Sequence, residues 1–477
     1  MRKKLLRAVA TIVAIMNLGI FAGAYCAEGV ITVGSLKELM PYLKQDNVSV
    51  KMQPGTYYFT AKDAESKHFR NSAEVVEGKL TYAMILVEGN NSTYDFTGVT
   101  IEVETAAFNA YENSEFNELH LIGSNNTVRG LRLVDVGGLT DFPKWGCVNV
   151  IVDGANNLVE GVEIRSLGSY PYGYGELFGK GGPATIRHKK HSACLVRGYK
   201  SHIKDCKIFH RSYGHCLFMQ AADMPLIEGC HIESEMTTTD KVLSEEGSGS
   251  AADKIDFKTV WGYRVPQGHT IALCEEGIRA YNGGNTIIDG ERFKRGTSNV
   301  TIKNCYVKNA RAGVTLTHAA GFKYVENTTA VGCNRGFAVG HKGKVVNCFA
   351  DTQNGPAFGV DYERDEDIVA DITLLPYEGM GQNGTTHAAI IIGKGHNITF
   401  KKGEGLVAEQ ALKIHIGGDN QTIGMLGKDN NYMASGITIT NDTDYPVVLD
   451  DNSSNISGTT KGEVVDNGTN NNLKTTK

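Results

Sequence analysis

The sequence has little proline and little net charge, and each shortage excludes a class of protein. Only 10 of the 477 residues are proline against 56 glycines, so the glycines serve tight turns rather than a low-complexity linker. The formal net charge of -5 does not indicate a general nucleic-acid binder. Hydrophobic residues make up 41% of the chain, which excludes a largely disordered protein. The composition therefore favours short strands joined by many corners.

Beyond the N-terminus the chain also lacks an apolar run of the roughly 18 residues that cross a membrane. The basic start, the apolar residues 8–23 and the small residues after them predict a signal peptide over residues 1–26. Cys26 could carry a lipid anchor, but Tyr25 is a poor residue before a lipidated cysteine. We expect an exported protein, periplasmic or secreted, without a transmembrane segment.

A short pattern recurs through the chain: an apolar residue, two polar or small residues, an apolar residue or cysteine, a polar residue and an apolar residue. Copies begin at Val128, Val159, Ile203, Ile227, Ile302 and Val345. The step is 24 residues from Ile203 to Ile227 and 75, or three steps of 25, from Ile227 to Ile302. A period of 20 to 25 residues without a helix is typical of a β-solenoid. The sequence predicts an all-β, right-handed parallel β-helix over residues 46–450.

A second set of strands flanks these copies, with alternation that fits one buried face. The predicted strands are Leu119–Ile122, Val148–Val152, Ala193–Val196, Cys216–Met219, Gly313–Leu316, Phe337–Val339 and Ala388–Ile392. Cys206, Cys230, Cys305 and Cys348 take the same position of the repeat, which predicts an inward column of free thiols rather than disulfides.

The two ends of the solenoid also have signals of their own. Ser35 and Glu38 form a capping-box pattern, so we predict a short helix over residues 35–45 that covers the N-terminal end of the solenoid. Residues 451–477 are rich in Asn, Thr and Gly, and we expect a polar tail that is partly disordered.

The entry segment Val48–Phe59, with Pro54-Gly55-Thr56-Tyr57, resembles that of pectin-lyase-like β-helix proteins, as does the repeat over nearly the whole mature chain. The resemblance implies an exported carbohydrate-active protein, since this superfamily contains polysaccharide lyases, glycoside hydrolases, epimerases, esterases and adhesins. The catalytic motifs of polygalacturonases and of mannuronan epimerases are absent, so no specific family is matched. Function must come from outward polar residues and long loops.

Two segments concentrate such residues. From Ile186 to His215 the chain holds eight Lys or Arg and one acidic residue, which inverts the sign of the overall charge. The segment Glu233–Gln267 interrupts the repeat, as a wall or lid over a site would. The candidate catalytic residues are His191, Arg197, His210, Arg211, Tyr213 and His215. The candidate substrate-binding residues are Arg187, His188, Lys189, Lys190, Trp261, Tyr263, Arg264, Glu275, Glu276, Arg279, His318 and His341.

These residue types favour a lyase that cleaves a uronate-containing, acidic polysaccharide by β-elimination. Such an enzyme needs cations for the carboxylate, whose charge grows as the enolate forms, and a base for the α-proton. The alternatives are a glycoside hydrolase with two carboxylates, among Glu275, Glu276, Asp256 and Asp361, and a non-catalytic glycan-binding surface protein. The sequence requires no cofactor; calcium is compatible with the acidic loops, but no ligand spacing demands it.

The register of the repeat brings the candidates together. Since Ile203 and Ile227 are equivalent, His215 should open its strand beside His191 or Ser192, with Arg197 one coil from Ala221. We predict one outward catalytic floor of His210–His215 and Arg197 beneath the 233–267 excursion. The polymer, the endo or exo mode and the oligomeric state do not follow from the sequence.

Overall fold

The computed structural model describes residues 29–66, 68–69, 71–111, 114–137, 146–167, 190–250, 252–257, 264, 267–360, 362–377, 387–418 and 432–476. The predicted signal peptide and Cys26 lie outside these residues. Among them, no helix is long and apolar enough to cross a membrane.

The described chain winds into coils of parallel strands that stack on three faces, as the repeat predicts. The first face consists of Ile31–Val33, Ser49–Met52, Thr93–Asp95, Thr127–Arg129, Leu158–Glu160, His202–Lys204, Leu226–Glu228, Ser298–Lys303, Ala320–Glu326, Lys344–Ala350, Val369–Leu374, Asn397–Lys402, Thr438–Asn441, Ser457–Thr460 and Asn472–Thr475. The second face consists of Gly55–Phe59, Val99–Glu104, Arg132–Val136, Glu163–Ser166, Lys207–His210, His231–Ser234, Tyr306–Lys308 and Thr329–Val331, and it merges with the first at Lys344–Ala350.

The third face contains the strands that the sequence places before each repeat. It consists of Asn71–Val76, Lys79–Val87, Phe116–Leu121, Cys147–Val152, His191–Val196, Leu217–Met219, Glu276–Ala280, Ala312–Thr315, Phe337–Ala338, Phe358–Gly359, His387–Ile391, Lys413–Ile416, Val447–Leu449 and Val464–Asp466. Apart from Asn71–Val76, which pairs antiparallel with its neighbour, these strands are parallel. The prediction of a parallel β-helix is confirmed, and a right-handed winding is the rule for such connections.

The register follows the repeat. Ile203 pairs with Ile227, Ile227 with Ile302, Ile302 with Val325 and Val325 with Val345. The turn that follows carries an asparagine in the left-handed region at 304, 327 and 347, a conformation that asparagine tolerates better than most residues. The amide of each later asparagine donates to the side-chain oxygen of the one before, so the ladder continues through the corner.

The cysteine column is inside the core. Cys206, Cys230, Cys305 and Cys348 are buried and unpaired, as predicted. Their thiols donate weakly to backbone carbonyls of the same or the preceding coil, for example from Cys206 Sγ to the carbonyl of Val159 at 3.5 Å. All nine cysteines of the described chain are free, so packing of apolar side chains, rather than disulfides, stabilises it.

The N-terminal end is covered by a short helix, Leu36–Leu39, followed by a 3-10 turn, Met40–Tyr42. The Ser35 side chain accepts a hydrogen bond from the Glu38 amide, and Leu36 and Leu39 are buried in the core.

The C-terminal expectation is wrong: residues 451–476 are not a disordered tail but continue the coils. Ser457–Thr460 pairs in register with Asn472–Thr475, and an Asn471 side chain accepts from the Ile456 amide. Polar side chains bond between these coils beside the buried Ile456, which composition does not reveal.

Irregular segments leave the coils mainly between the second and third faces. The excursion predicted at 233–267 begins after His231–Ser234 and contains the antiparallel pair Met236–Thr238 and Thr270–Ala272. It also contains the helix Thr239–Leu243 and a 3-10 turn, Asp253–Ile255. Two other short helical segments, Ala61–Glu65 and Thr105–Asn109, lie in the first coils. Three short strands, Gly393–Lys394, Ala434–Ser435 and Ser453–Ser454, form a small separate sheet.

A second hairpin, Asn285–Ile288 with Glu291–Lys294, folds back over coils that precede it by more than 100 residues. Arg292 pairs with Glu74 at 3.0 Å, and the Asp289 carboxylate accepts from the Ser124 hydroxyl at 2.7 Å. The Gly154 amide donates to the carbonyl of Ile287 at 2.9 Å. The hairpin thus ties the middle of the chain to its early coils.

Candidate active site

The third face begins where the long segments return to the coils, and polar side chains collect at that edge. His215 lies two residues before the strand Leu217–Met219, and Glu276 opens the next strand, Glu276–Ala280. The main chain fixes their register: the Cys216 amide donates to the carbonyl of Glu276, and the Glu275 amide donates to the carbonyl of Gly214. Successive coils therefore place one imidazole and two carboxylates side by side.

His215 lies between the two carboxylates. Its Nε2 is 2.9 Å from Glu275 Oε2, and its Nδ1 is 2.8 Å from Glu276 Oε2. Their side chains are between 1% and 3% exposed, so all three groups are shielded from water. Buried charges of this kind need ionic or hydrogen-bonding partners.

Cations supply those partners and cover the carboxylates. Lys190 Nζ lies 2.7 Å from Glu275 Oε2, and the guanidinium groups of Arg279 and Arg311 both contact Glu276 Oε1. The Lys190 side chain is 32% exposed, whereas those of Arg279 and Arg311 are 12% and 14% exposed. Solvent therefore meets an ammonium and two guanidinium groups before it meets either acid.

Two phenols complete the edge. The Tyr281 hydroxyl lies 2.7 Å from His215 Nε2, with the Arg279 guanidinium 4.6 Å from the centre of its ring. Burial and then the nearby charge of Glu275 raise the pKa of Tyr281, so its hydroxyl keeps its proton at neutral pH. Tyr213 has a raised pKa for the same two reasons, but it is fully buried under Lys190.

The polar edge continues into the next coils through His318. Its Nδ1 is 3.5 Å from the Arg279 guanidinium, and its Nε2 is 2.8 Å from the Tyr362 hydroxyl. The structure therefore brings His318 to the site. His341 does not join the cluster in this way. Its Nδ1 accepts from the Glu366 amide, and its own amide donates to the Asp365 side chain.

The outward placement predicted for two histidines is wrong. His191 is fully buried against Phe108, with ring centres 4.3 Å apart, and burial holds its pKa well below the usual range. His210 Nε2 donates to the carbonyl of His191 while its Nδ1 accepts from the Ser212 amide. Burial lowers the pKa of His210 to about 4, so both rings are neutral packing groups at pH 7.

The placement of Arg197 on the same floor is also wrong. His215 lies beside Ser192, as the register predicts, whereas Arg197 directly follows the strand His191–Val196, about 17 Å away at about 3.3 Å per residue. Arg197 pairs instead with the buried Asp153 at 3.5 Å, which also contacts His120 Nε2 at 2.7 Å. In the next coil, Gln220 rather than Ala221 lies beside Arg197. The segment from Met219 to Ile227 is one residue longer than the segment from Val196 to Ile203, so the register differs by one on its two sides.

The remaining candidates lie apart from this cluster or outside the described residues. Arg211 pairs with Glu235 at 2.8 Å and is 40% exposed, at the start of the excursion. Arg264 pairs within the excursion, with Glu246 and Asp256. Five candidates lie outside the described residues, as does Asp361: Arg187, His188, Lys189, Trp261 and Tyr263.

Comparisons with known proteins agree with this architecture. A family model described as "Right handed beta helix region" matches residues 183–350. The fold is a right-handed β-helix. The right-handed β-helix predicted from the repeat is thereby confirmed. No curated protein matches the sequence.

Solved β-helix structures of several activities resemble the chain at low identity. A mannuronic acid specific polysaccharide family 6 lyase from human gut microbiota is 11% identical, with 94% of this chain and 83% of that chain covered and a TM-score of 0.41. The A-module of a mannuronan C-5 epimerase from Azotobacter vinelandii is 10% identical, with 90% and 89% covered and a TM-score of 0.29. An endo-xylogalacturonan hydrolase from Aspergillus tubingensis is 10% identical, with 94% and 93% covered and a TM-score of 0.29. These structures do not distinguish one activity from another.

Sequence reasoning missed two parts of the polar edge. Arg311 and Tyr281 lie on different coils, and neither belongs to a cluster of polar residues in the sequence. Glu118 and Asp135 form a second acidic pair in the preceding coils, where burial and then the charge of Asp135 hold the pKa of Glu118 well above its usual range. Asn149 donates to Asp135 at 3.1 Å. Asn117, Glu118 and His120 lie on one buried strand, Phe116–Leu121, and this run of polar residues was the available signal.

The donor set of the β-helix edge does not fit calcium. His215, Glu275 and Glu276 could together offer one nitrogen and two oxygens to a cation. Calcium takes six to eight oxygen ligands, whereas here one donor is an imidazole, and Lys190, Arg279 and Arg311 already contact the carboxylates.

Proposed function

We propose that this β-helix protein is a polysaccharide lyase that cleaves a uronate-containing chain by β-elimination, at the edge formed by Lys190, His215, Glu275, Glu276 and Arg279. One observation carries the proposal: both buried carboxylates contact cations that are more exposed than the carboxylates are, Lys190 most of all. A substrate carboxylate would meet guanidinium and ammonium groups, which attract it and stabilise the charge of the enolate.

The arrangement argues against a glycoside hydrolase at this site. Hydrolases of the two-carboxylate type place their acids on opposite sides of the scissile bond, about 5 to 9 Å apart, with the sugar between them. Here the group between Glu275 and Glu276 is His215, and the three donor atoms lie within 4.8 Å of one another. No sugar ring fits between carboxylates that share one imidazole.

The residues divide naturally into roles for β-elimination. Arg279 and Arg311 bind the uronate carboxylate, because their guanidinium groups are partly exposed cations beside Glu276. We assign the α-proton to Lys190, the most exposed group of the cluster, whose amine becomes a base once its own proton passes to Glu275 at 2.7 Å.

Tyr281 gives a proton to the departing 4-linked oxygen. Its raised pKa keeps the phenol protonated until that oxygen develops charge, and His215 at 2.7 Å can restore the proton. Lys190 takes the proton from C5, and the electrons of that C–H bond form a double bond between C4 and C5. The C4–O bond breaks with its electrons on the departing oxygen, which takes the proton from Tyr281. The balance requires no oxidant or reductant.

The test is the nature of the products. Purified protein is incubated with a panel of uronate polysaccharides and with neutral polymers, and both ultraviolet absorbance and reducing ends are followed. We expect reducing ends from a uronate polymer to appear together with the absorbance of the unsaturated end. Reducing ends without that absorbance would assign a hydrolase. Cleavage of neutral polymers alone would show that the cations do not bind a uronate carboxylate.

The other parts of the proposal concern location and cofactor. We propose that the protein is exported through residues 1–26 and works outside the cytoplasm, where such polymers are found. We also propose that the reaction proceeds without calcium, because lysine and arginine already supply the positive charge at the candidate site.

A further inference from the structure

A second concave site lies on the first face of the β-helix. Its cavity of ≈ 330 Å³ is lined by four lysines, Lys303, Lys323, Lys342 and Lys344, and by the rings of Phe322 and Tyr324. These residues belong to three consecutive coils, on strands other than those of the candidate active site. None of them enters the chemistry proposed above.

The cavity results from two irregularities of the repeat. The strand Ala320–Glu326 contains a bulge, since the two residues Gly321 and Phe322 lie opposite the single residue Asn299. The bulge turns Phe322 outward, so 49% of its surface is exposed. The next coil is only 20 residues long and pairs with this strand only from Tyr324 onward, opposite Lys344, so the start of the strand is left open.

The lysines of this groove have little to neutralise them. Lys303 lies 3.4 Å from Glu326 and 5.8 Å from the centre of the Tyr324 ring. Within the described chain, Lys323, Lys342 and Lys344 form no ion pair. Glu326 lies beside Lys303 and the buried Asp365 acts on Lys323, and the Glu366 carbonyl accepts from the Lys342 amide at 2.8 Å.

Lys323 is the most informative of the four, because it is only 4% exposed. Its Nζ donates one hydrogen bond, to the carbonyl of Ala319 at 3.2 Å, which leaves two N–H groups of a nearly buried ammonium without a partner in the described residues. Burial lowers the pKa of Lys323, and the charge of Asp365 opposes this change. A buried donor of this kind is satisfied by an anionic ligand.

The groove also adjoins the candidate active site along the chain. Ala319, which binds Lys323, directly follows His318, whose ring contacts the Arg279 guanidinium. A polymer that leaves the active-site edge past His318 and turns this corner would reach the lysines.

We propose that this groove is a non-catalytic binding site for a distal uronate segment of the same polysaccharide. Lysines fit the carboxylates, and Phe322 and Tyr324 offer flat apolar faces to the C–H faces of sugar rings. A nucleic acid fits less well, because the protein as a whole is acidic, with a net charge of -5. The identity of the polymer rests on the function proposed above, whereas the existence of the site does not.

The test measures binding rather than cleavage, so that it can fail or succeed independently of the lyase reaction. The full-length protein is run through native gels that contain polygalacturonate, polymannuronate, dextran or double-stranded DNA. The variants are Lys342→Ala with Lys344→Ala, and separately Phe322→Ala. The matched control is Lys51→Ala with Lys474→Ala, which removes the same charge from exposed positions near the two ends of the same face.

We expect one of the uronate polymers to retard the parent protein and the control, and the double lysine variant to bind about tenfold more weakly. Phe322→Ala should also weaken binding, because a ring that stacks on sugar is lost. Equal retardation of the control and the double variant would overturn the proposal, as would retardation by DNA equal to that by the uronates. Loss of binding in the double variant without any cleavage of the polymer would keep the groove and reject the lyase.

Discussion

Replacing Lys190 by arginine separates the chemical role of this side chain from its structural role. The guanidinium keeps a positive charge next to Glu275, whose side chain is 1% exposed and needs a cation beside it. Arginine cannot act as a base near neutral pH, because its pKa lies above about 12. We expect Lys190→Arg to change the free energy of unfolding by less than about 1 kcal/mol and to lower kcat at least about 100-fold.

The partner experiment removes the buried acid instead. Glu276 contacts Arg279, Arg311 and His215 and is 3% exposed. Glu276→Gln leaves two guanidinium groups without their counter-charge, and breaking a buried pair in this way costs about 3–5 kcal/mol. We therefore expect a large loss of stability in Glu276→Gln, with residual turnover at low temperature, because the side chain positions the arginines and does not contact substrate.

The assay combines chemical unfolding with initial rates of double-bond formation, measured at the same temperature for each variant. Lys204→Arg is the matched control, since Lys204 also pairs with a glutamate, Glu160 at 2.7 Å, but on the first face. A fully stable, inactive Glu276→Gln variant together with an active Lys190→Arg variant would refute the reasoning and assign the acid a direct chemical role.

Other predictions follow from pH, metal and thiols. Burial raises the pKa of Asp351 from 3.8 to about 6, so its contribution to stability is greatest below pH 3.8 and is lost as the pH rises through 6. The free energy of unfolding of Asp351→Asn and of the parent is measured at pH 3.5 and at pH 8. Between these two values the variant should gain about 3 kcal/mol relative to the parent, at about 1.4 kcal/mol per pKa unit, and a difference that is the same at both would contradict this. Treatment with a chelator should leave turnover unchanged, and recovery of lost activity by calcium would contradict the roles given to the cations. The nine cysteines of the described chain should react with a thiol reagent only after unfolding, and a reductant should leave the unfolding transition in place; a shift would reveal a disulfide.

The sequence predicts the fold well because a solenoid repeats one local rule. The positions of Ile203, Ile227 and Ile302 determine the register, and the thiol column follows from it. The rule fails where composition changes but backbone pairing does not, as at residues 451–476, where parallel pairing continues and Asn471 accepts from the Ile456 amide.

The candidate site is less predictable, because outward and inward positions alternate only inside a strand. His191 and His210 lie at strand ends, where the chain turns inward and buries them. Arg197 is held by Asp153, which is held in turn by Thr286 of the hairpin, a contact between residues 133 positions apart. Arg311 and Tyr281 reach the site from two later coils, and nothing local in the sequence marks either of them.

The folded-back hairpin has a consequence for how the protein comes apart. A plain solenoid behaves as a one-dimensional array in which each coil interacts only with its neighbours, so it can fray from either end. Here Arg292 reaches Glu74, 218 residues earlier, and Asp289 reaches Ser124, 165 residues earlier. The coils between them are enclosed in one loop of contacts, so they should exchange their amide hydrogens in a single cooperative opening, while the coils after Ser298 can still open one at a time.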